Sequence, residues 1–398
     1  MTLPRGPELS LPIQHKAELI QLCLLVWVEN DPRRTVNLEI QIHRLTLGDL
    51  EAIENLPFDD PYRICQWTPE ALAVFRDNPF RQRQNELVQL VGAVDGTAAG
   101  SLKFLPGELT VNGEPHTVVW CSGLYVVPQH RNSLLGISLL KEARDSFEVI
   151  GGSAVSDLAF PIFKRLGWLD FPLTRYIMPC TCKPIVDQLC GADGVTPFVR
   201  PLVDLVLFLH RCLLQARAAV FCRNFRSAAC SLVPDSLDRS LSTLNQVLGC
   251  HRSSRWLNWN LHHSLNPSSR LTKNLYLVRD RTDRIVAYYI TRVKHRKKDP
   301  NRKIGDLLVG SVLDWGIFDA SAVKKKPLYL DAANRLSAQG VDVVEICDTA
   351  SYASMPIGFK RVGQHRFVLL SNVEDPKFTN DQAPIWELRQ IDGDSGLS

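Results

Sequence analysis

The feature that most constrains this chain is a β-strand that runs into an apolar helix through a short loop. Residues Thr117–Val127 are β-rich, Pro128 ends the strand, and Gly136 closes the loop that follows. Apolar residues then recur at helical spacing, namely Leu134, Leu135, Ile137, Leu139 and Leu140. The amides at such a helix start converge on one point, where the helix dipole favours negative charge. The pattern predicts a phosphate-binding loop, with an ordinary turn packed around Gly136 as the alternative.

The segments before this loop predict an antiparallel meander. Three segments are rich in β-forming residues, namely Glu86–Ala93, Ala98–Leu105 and Thr117–Val127. Turn residues separate them at Asp95-Gly96, Pro106-Gly107 and Asn112-Gly113. Three consecutive strands joined by short turns pair most simply with their sequence neighbours.

Further strands and helices flank the meander. Leu38–Arg44 alternates apolar and polar residues, which predicts a half-buried strand, and Thr46 and Thr68 each predict a helix N-cap. After the loop and its helix, the pattern predicts a short strand at Ser153–Val155, a helix at Asp157–Leu166 and a strand at Leu173–Met178.

At these residues the chain resembles the GNAT superfamily of acyl-coenzyme A-dependent N-acyltransferases. The resemblance spans residues 37–180 and rests on Ile40–Asp49, Leu124–Pro128, Arg131–Gly136 and Ala159–Trp168. It implies acetyl-CoA, or another acyl-CoA, as co-substrate. The backbone of Leu124 and Val126 would hold the thioester and pantetheine. The loop would hold the pyrophosphate through Arg131, Asn132, Ser133, Leu134, Leu135 and Gly136. The family often has glycine where this chain has Asn132 and Leu134.

A second, more divergent copy of the same order is indicated over residues 236–371. Its opening segment, Arg255–His263, is similar to that of tandem bacterial members of the superfamily. The segment Asp319–Lys326 follows a predicted strand without a glycine loop, so this copy is not expected to hold coenzyme A in the usual way. The expected fold class is therefore α/β, with mixed α+β sheets in two tandem GNAT-like units.

The expected division of the chain follows from these patterns. It comprises an N-terminal extension over 1–36, an acyl-CoA-binding unit over 37–180, a helical linker over 181–235, a divergent second unit over 236–371 and a tail over 372–398. The tail is polar and is expected to be loose. A length of 398 residues agrees with two units, because single cores stop growing at roughly 250–300 residues.

Acyl transfer needs a base for the acceptor ammonium, a backbone donor for the developing oxyanion and a proton for the departing thiolate. The candidate catalytic residues are Cys121 and Ser122 on the strand and Asp157 at the start of the later helix. The alternative for each is structural, with Asp157 as a helix cap and the other two as packed strand residues. The tyrosine that often supplies the proton in the family falls at Phe163, so that proton would come from elsewhere or from water.

Composition and charge narrow the class of protein. The 46 basic and 42 acidic residues are too evenly balanced for a protein whose main function is to bind nucleic acid. Eleven scattered cysteines without a secretory leader predict reduced thiols and a cytoplasmic protein. Three of them, Cys180, Cys182 and Cys190, are interpreted as small buried hydrophobic residues and not as metal ligands. A structural zinc site usually takes four ligands in two closely spaced pairs, and no matching second pair of ligands lies nearby in the sequence.

No transmembrane segment is expected, because Ala17–Val28 is too short and Leu202–Cys222 is interrupted by charged residues. The second stretch predicts a buried or interfacial amphipathic helix, and contact with a membrane surface stays open as an alternative.

Together these observations predict an acyl-CoA-dependent N-acyltransferase, in the first place an N-acetyltransferase, that acts on a small amine or amino sugar. One alternative is a catalytically inactive binding module, which Leu134 and Phe163 motivate. The other is an aminoacyl-tRNA-dependent transferase on a doubled fold, supported only by the basic runs Lys294–Lys298 and Lys324–Lys326.

Overall fold

The structure is a computed structural model. It describes residues 39–81, 85–111, 114–157, 159–185, 199–221, 223–244, 249–265, 271–297, 305–349, 355–356, 358–371 and 388–392. The predicted N-terminal extension, the apolar run Ala17–Val28 and Cys190 lie outside the described residues.

The first half of the chain follows the predicted order of strands and helices. Its strands are β1 (Ile40–Thr46), β2 (Leu87–Val94), β3 (Thr97–Val111), β4 (Glu114–Val126), β5 (Val149–Gly152) and β6 (Leu169–Pro179). Its helices are α1 (Leu47–Glu51), α2 (Pro69–Arg76), α3 (Leu135–Ser146) and α4 (Phe160–Arg165). Thr46 and Thr68 cap α1 and α2 through their side-chain oxygens, which confirms both predicted N-caps.

The second half largely repeats this order, with one long helix before it, a short strand between the two helices that follow its first strand, and no described helix between its last two strands. Its strands are β7 (Phe225–Cys230), β8 (Gly249–Cys250), β9 (Thr272–Asp280), β10 (Ile285–Arg296), β11 (Leu307–Ile317), β12 (Val343–Asp348) and β13 (Lys360–Ser371). Its helices are α5 (Val199–Phe221), α6 (Asp238–Leu244), α7 (Ser254–His262) and α8 (Lys325–Ala338).

Three local predictions are wrong. The strand expected at Ser153–Val155 lies earlier, at β5, and residues expected to be helical form β7, which pairs with β9 at the sheet edge. Pro106-Gly107 does not end a strand, because β3 continues through it to Val111. The pairing of β2 with β3 stops at Lys103. Pro106 lies beyond that point, so its missing amide hydrogen removes no hydrogen bond to β2.

The described strands form one sheet of thirteen, and the two halves exchange their last strands. The order is β1-β2-β3-β4-β5-β13-β6-β12-β11-β10-β9-β7, with β8 paired to β3. Strand β13 of the second half therefore lies between β5 and β6, and β6 of the first half pairs with β12. Each half contains one parallel pair, β4 with β5 and β11 with β12.

Helix α3 lies unusually close to the sheet. A side chain at Gly92 would collide with Leu135 of α3, and one at Gly100 would lie 3.1 Å from the same leucine and 2.9 Å from the Tyr125 carbonyl oxygen. Glycine at these two positions lets the N-terminal end of α3 approach β2 and β3. This approach fixes where the predicted phosphate loop lies relative to β4.

Helices α5 and α8 cover one face of the second half. The buried face of α5 includes Leu214 and Ala218, which join the core formed with α8 and the strands. Its outer face stays exposed and largely apolar, with side chains from Leu202, Leu205, Val206, Phe208, Leu209, Leu213 and Val220. The predicted helix is present, but apolar side chains also cover much of its exposed face, so the prediction of an amphipathic helix is wrong in that respect. Among the described residues, no helix combines the length and the apolar content that a membrane crossing requires.

Two of the three cysteines interpreted as small hydrophobic residues are buried, as predicted. Cys180 and Cys182 are buried, with 3% and 6% of their surface exposed. Burial raises the pKa of the Cys180 thiol to about 11, so it stays protonated and packs as a small hydrophobic side chain.

Candidate functional site

The candidate site begins where β4 and β5 separate. The two parallel strands pair over only three positions, and the last pair is Cys121 with Gly152. Strand β4 continues to Val126, and an extra residue at Gly123 forms a bulge against β3, with a φ of +60°. A bulge bends its strand and increases its twist. Beyond Cys121, the edge of β4 that faced β5 is therefore open to a ligand.

A cavity of about 250 Å³ lies in this opening. Its walls come from β3, β4, the end of β5 and the segment that leads into α4, through Leu102, Cys121, Gly123, Leu124, Gly152, Ser153, Ala154, Val155, Ser156, Ala159 and Phe163. No charged side chain is among these described lining residues. The cavity is thus suited to an uncharged, largely apolar group held by backbone polar atoms.

The predicted phosphate loop forms a tight turn before α3. A 3₁₀ turn over Pro128–His130 follows β4, and the Ser133 hydroxyl donates to the His130 carbonyl oxygen at 2.7 Å and accepts from the Leu135 amide at 3.3 Å. The N-cap residue of α3 makes no side-chain hydrogen bond to the helix. The backbone amides of Gly136 and Ile137, in the first turn, are therefore not capped by it. They provide the positive end of the helix dipole beside the end of β4.

Gly136 leaves a gap between α3 and β4. A Cβ atom at this position would meet only the Val126 side chain, at 3.6 Å. Arg131 reaches back across the same strand end, where its Nε donates to the Val126 carbonyl oxygen at 3.3 Å. The chain geometry thus places Arg131, Val126 and the start of α3 around one opening. Such a gap, with a cation and helix amides at its rim, fits a pyrophosphate.

Leu134 does not close this opening. Its side chain is 67% exposed and it occupies the N-cap position of α3. Neighbouring Asn132 and Arg131 are exposed as well, whereas Leu135 is buried against the sheet. The residues of the predicted loop therefore provide backbone atoms and one arginine at the surface, and Leu135 anchors the helix.

The three candidate catalytic residues are separated by the structure. Cys121 is buried and lines the cavity, whereas Ser122 points to the opposite face of the sheet, opposite Lys103 of β3. Asp157 is fully exposed, with its carboxylate 4.0 Å from the Nε of Arg366. Asp157 is therefore outside the cavity, although its neighbour Ser156 lines it.

Phe163 occupies a wall of the cavity. It is buried and packs edge to face on Trp168, with the ring centroids 4.9 Å apart. Phe163 itself has no hydroxyl that could protonate a thiolate. The family resemblance aligned Phe163 with the position of the proton-donating tyrosine, and in the structure Phe163 lines this cavity.

Sequence reasoning missed two parts of the site. One is the bulge, which the isolated Gly123 within a strand could have indicated. The other is Val368 of β13, which would lie 3.1 Å from a Cβ atom at Gly152 and so backs the cavity from the second half of the chain. Nothing in the local sequence of β13 shows that it crosses to the other half.

The second half has a corresponding splay, that is, a point at which two parallel strands stop pairing and separate. Residues of the chain itself fill it. Strands β11 and β12 pair from Val309–Val343 to Val312–Ile346 and then separate. Just beyond, the Ile391 amide donates to the Leu313 carbonyl oxygen at 2.9 Å, and Gln390 donates to Glu345 at 3.0 Å. Residues 388–392 are all buried, so this part of the predicted loose tail is instead packed into the fold.

Comparison with known proteins gives matches at the level of structure. No protein-family model matches the chain, and no match to a curated protein is found. Saccharomyces cerevisiae N-myristoyltransferase with bound myristoyl-CoA is similar over 86% of this chain and 85% of that chain, with a TM-score of 0.52 and 13% identity. A structure of the same protein with myristoyl-CoA and inhibitors covers 89% and 92%, with a TM-score of 0.52 and 12% identity. A GCN5-related N-acetyltransferase from Anabaena variabilis covers 83% and 72%, with a TM-score of 0.48 and 12% identity.

The strand order, the parallel splayed pairs and the likeness to the N-myristoyltransferase structures define the class of fold. The chain has the acyl-CoA N-acyltransferase fold of the GNAT superfamily. It has this fold in the doubled form, with an open splay in the first unit and a self-filled splay in the second. At 12–13% identity, this likeness shows a shared fold and does not extend to activity or substrate.

Proposed function

We propose that the first unit binds an acyl-CoA and transfers its acyl group to the amine of a small acceptor. The observation that carries this proposal is the coincidence of three features at one strand end. The β4–β5 splay, the apolar cavity behind it and the uncapped start of α3 all meet within Cys121–Gly136. A pantetheine arm needs a strand edge, an acyl group needs an apolar cavity, and a pyrophosphate needs amides and positive charge.

Each part of the site has a role in this proposal. The open edge of β4 at Leu124 and Val126 would orient the thioester arm, and the loop from Arg131 to Gly136 would hold the phosphates. A bound thioester supplies an activated carbonyl carbon with a thiolate leaving group. The apolar lining of the cavity around Cys121 would shield that carbonyl from water, which would limit hydrolysis and strengthen backbone hydrogen bonds to a developing oxyanion.

The acceptor would approach from the region where the two units meet. Strand β13 of the second unit backs the cavity at Val368, and Arg366 of the same strand bonds to Asp170 at 2.7 Å and approaches Asp157. Ligand sites favour such junctions. A small amine or amino sugar is the proposed acceptor class. An acetyl group is the first acyl group to test, and the bound myristoyl-CoA of the N-myristoyltransferase structures makes a longer chain the second.

Calorimetric titration with acetyl-CoA, a long-chain acyl-CoA and free coenzyme A tests the proposal directly. We expect binding to the unaltered protein and its loss in Gly136→Glu, because the added carboxylate enters the phosphate opening. Gly136→Ala is the matched control, since its Cβ would make only an ordinary contact with Val126. Binding should therefore survive in the alanine variant.

Two other outcomes would reject this function. An absence of heat with every coenzyme at millimolar concentration would favour the inactive binding module. Salt-sensitive RNA binding that disappears when Lys324–Lys326 is neutralised, without coenzyme binding, would favour a tRNA-dependent transferase.

A further inference from the structure

Lys103 lies on the face of the sheet opposite the cavity, at the level where β4 and β5 separate. Its neighbours on β3, Leu102 and Phe104, point to the α3 side, where one lines the cavity and the other packs on Phe147. Lys103 therefore points to the other side, beneath the loop that precedes α2. Its Nζ lies 3.9 Å from the centroid of the Trp67 ring.

The Trp67 ring is a fixed platform for this ammonium group. Its Nε1 donates to the Gln89 side-chain oxygen at 3.0 Å, and Gln89 in turn donates to the Ile64 carbonyl oxygen at 3.3 Å. The ring also packs edge to face on Phe75, with centroids 4.9 Å apart. Trp67 is thus held from two sides, and Lys103 is positioned by a rigid aromatic surface.

No carboxylate neutralises Lys103 among the described residues. The groups that face it are the Cys65 thiol from the loop, the neutral Gln89 from β2 and Ser122 from β4. Asp60, the nearest acid in that loop, accepts hydrogen bonds from the backbone amides of Ile64 and Cys65, at 2.7 and 2.8 Å. A partly buried ammonium without a carboxylate partner is costly for stability, which favours a functional role.

Lys103 is also adjacent to the open edge of β4. Ser122 is its partner across the β3–β4 ladder, and the Lys103 Cδ lies 3.8 Å from the position that a Cβ on Gly123 would take. Gly123 lines the cavity and forms the bulge. Beyond Cys121 and Gly152, β4 and β5 no longer pair, so the gap between them opens to the face on which Lys103 lies as well as to the cavity.

We propose that Lys103 is the general base of the acyl transfer, accepting a proton from the ammonium of the acceptor. This inference rests on the function proposed above. The neutral Lys103 amine takes one proton from the acceptor, whose freed lone pair forms the new C–N bond while the C–S bond breaks. The nitrogen passes its second proton to the departing thiolate, and Lys103 later releases its proton to water, so the reaction yields an amide, a thiol and one proton.

The electrostatic setting suits this role. Burial lowers the pKa of Lys103, and the nearby Cys65 opposes this shift. The face of the Trp67 ring also favours the charged form of the lysine. Burial also raises the pKa of Cys65 to about 12, so that thiol stays neutral and does not pair with the lysine. Lys103 can therefore exchange a proton under conditions in which an exposed lysine stays charged.

Trace labelling of the folded protein with acetic anhydride, followed by peptide mass spectrometry, measures the free amine directly. We expect the labelling of Lys103 to rise at lower pH than that of exposed Lys164, which serves as the internal reference. Saturating coenzyme A should slow labelling at Lys103 and leave Lys164 unchanged. Equal midpoints for the two lysines, or no protection while calorimetry shows bound coenzyme, would overturn the inference and leave the proposed function intact.

The variants Lys103→Arg and Lys103→Met separate proton transfer from charge. With acetyl-CoA and glucosamine as the probe amine, both should lose about 100-fold or more in turnover, the usual contribution of a general base. Coenzyme binding and the thermal midpoint should change little in the arginine variant, which keeps the charge over Trp67. If arginine restores turnover, Lys103 acts through its charge and not as a base. If the probe amine gives no turnover, the pH midpoints of labelling at Lys103 and Lys164 remain the test, and equal midpoints overturn the inference.

Discussion

Cys121 of β4 and Gly152 of β5 are the last residues that hold these two parallel strands together. Glycine fits this position closely, because a Cβ there would lie 3.1 Å from Val368 of β13 and 3.5 Å from Val155. The pair thus forms the closed end of the splay, and the cavity begins directly beyond it. Gly152 of the first half and Val368 of the second half therefore limit the width of this end.

Filling that closed end should weaken acyl-CoA binding. We expect Gly152→Ala to lower acyl-CoA affinity about tenfold and to destabilise the fold by about 1–3 kcal/mol, the usual cost of overpacking. Calorimetry and urea unfolding measure the two effects. The double variant Gly152→Ala with Val368→Ala should recover affinity, because the second change removes the contacted methyl group. Strictly additive losses would show that Val368 does not back the site.

A second expectation concerns the buried charges of the second unit. Arg252 bonds to Asp314 at 3.2 Å and to Asp392 at 3.0 Å, and all three side chains are at most 4% exposed. Replacing Arg252 by Met leaves two buried carboxylates without their main cation, which should cost about 3–5 kcal/mol. The exposed pair of Arg226 with Asp283 supplies the control, since Arg226→Met should change stability by about 1 kcal/mol or less. Equal losses in urea unfolding would contradict this reasoning.

His365 should make stability depend on pH. Burial lowers its pKa from 6.5 to about 4, so between these values the unfolded chain takes up a proton that the folded chain does not. Stability should therefore fall by up to about 3 kcal/mol as the pH drops from 6.5 to 4. His365→Gln should flatten this dependence in urea unfolding, whereas exposed His262→Gln should not. An unchanged slope in the first variant would assign the acid sensitivity to other groups.

Much of the first unit could be predicted because its signals are local. Thr46 and Thr68 cap helices through residues three positions away, and strand alternation needs only the strand itself. The loop from Arg131 to Gly136 could likewise be placed beside β4, since a strand and helix joined by a short loop have few arrangements. These interactions span short sequence distances, so the sequence pattern is sufficient to find them.

The missed features depend on distant residues. The exchange of β6 and β13 between units is set by pairings such as Val368 with Gly152, more than 200 residues apart. The alternation of β3 shows that Lys103 points away from Leu102, but not that Trp67 lies above it. The same limit explains why residues 388–392 looked like a loose tail, although Leu388 and Ile391 are apolar and pack deep in the second splay.

Removing that packed segment should reveal what it does. Truncation after residue 387 deletes Ile391, which bonds to the Leu313 backbone, and Arg389, which bonds to Asp314 at 3.2 Å. We expect a clear fall in the urea midpoint, because apolar burial and buried ion pairs are lost together. Coenzyme stoichiometry should stay at one per chain, since the segment after β11 has no glycine loop to hold phosphates. A second coenzyme bound by the truncated protein in calorimetry would show instead that residues 388–392 block a working site.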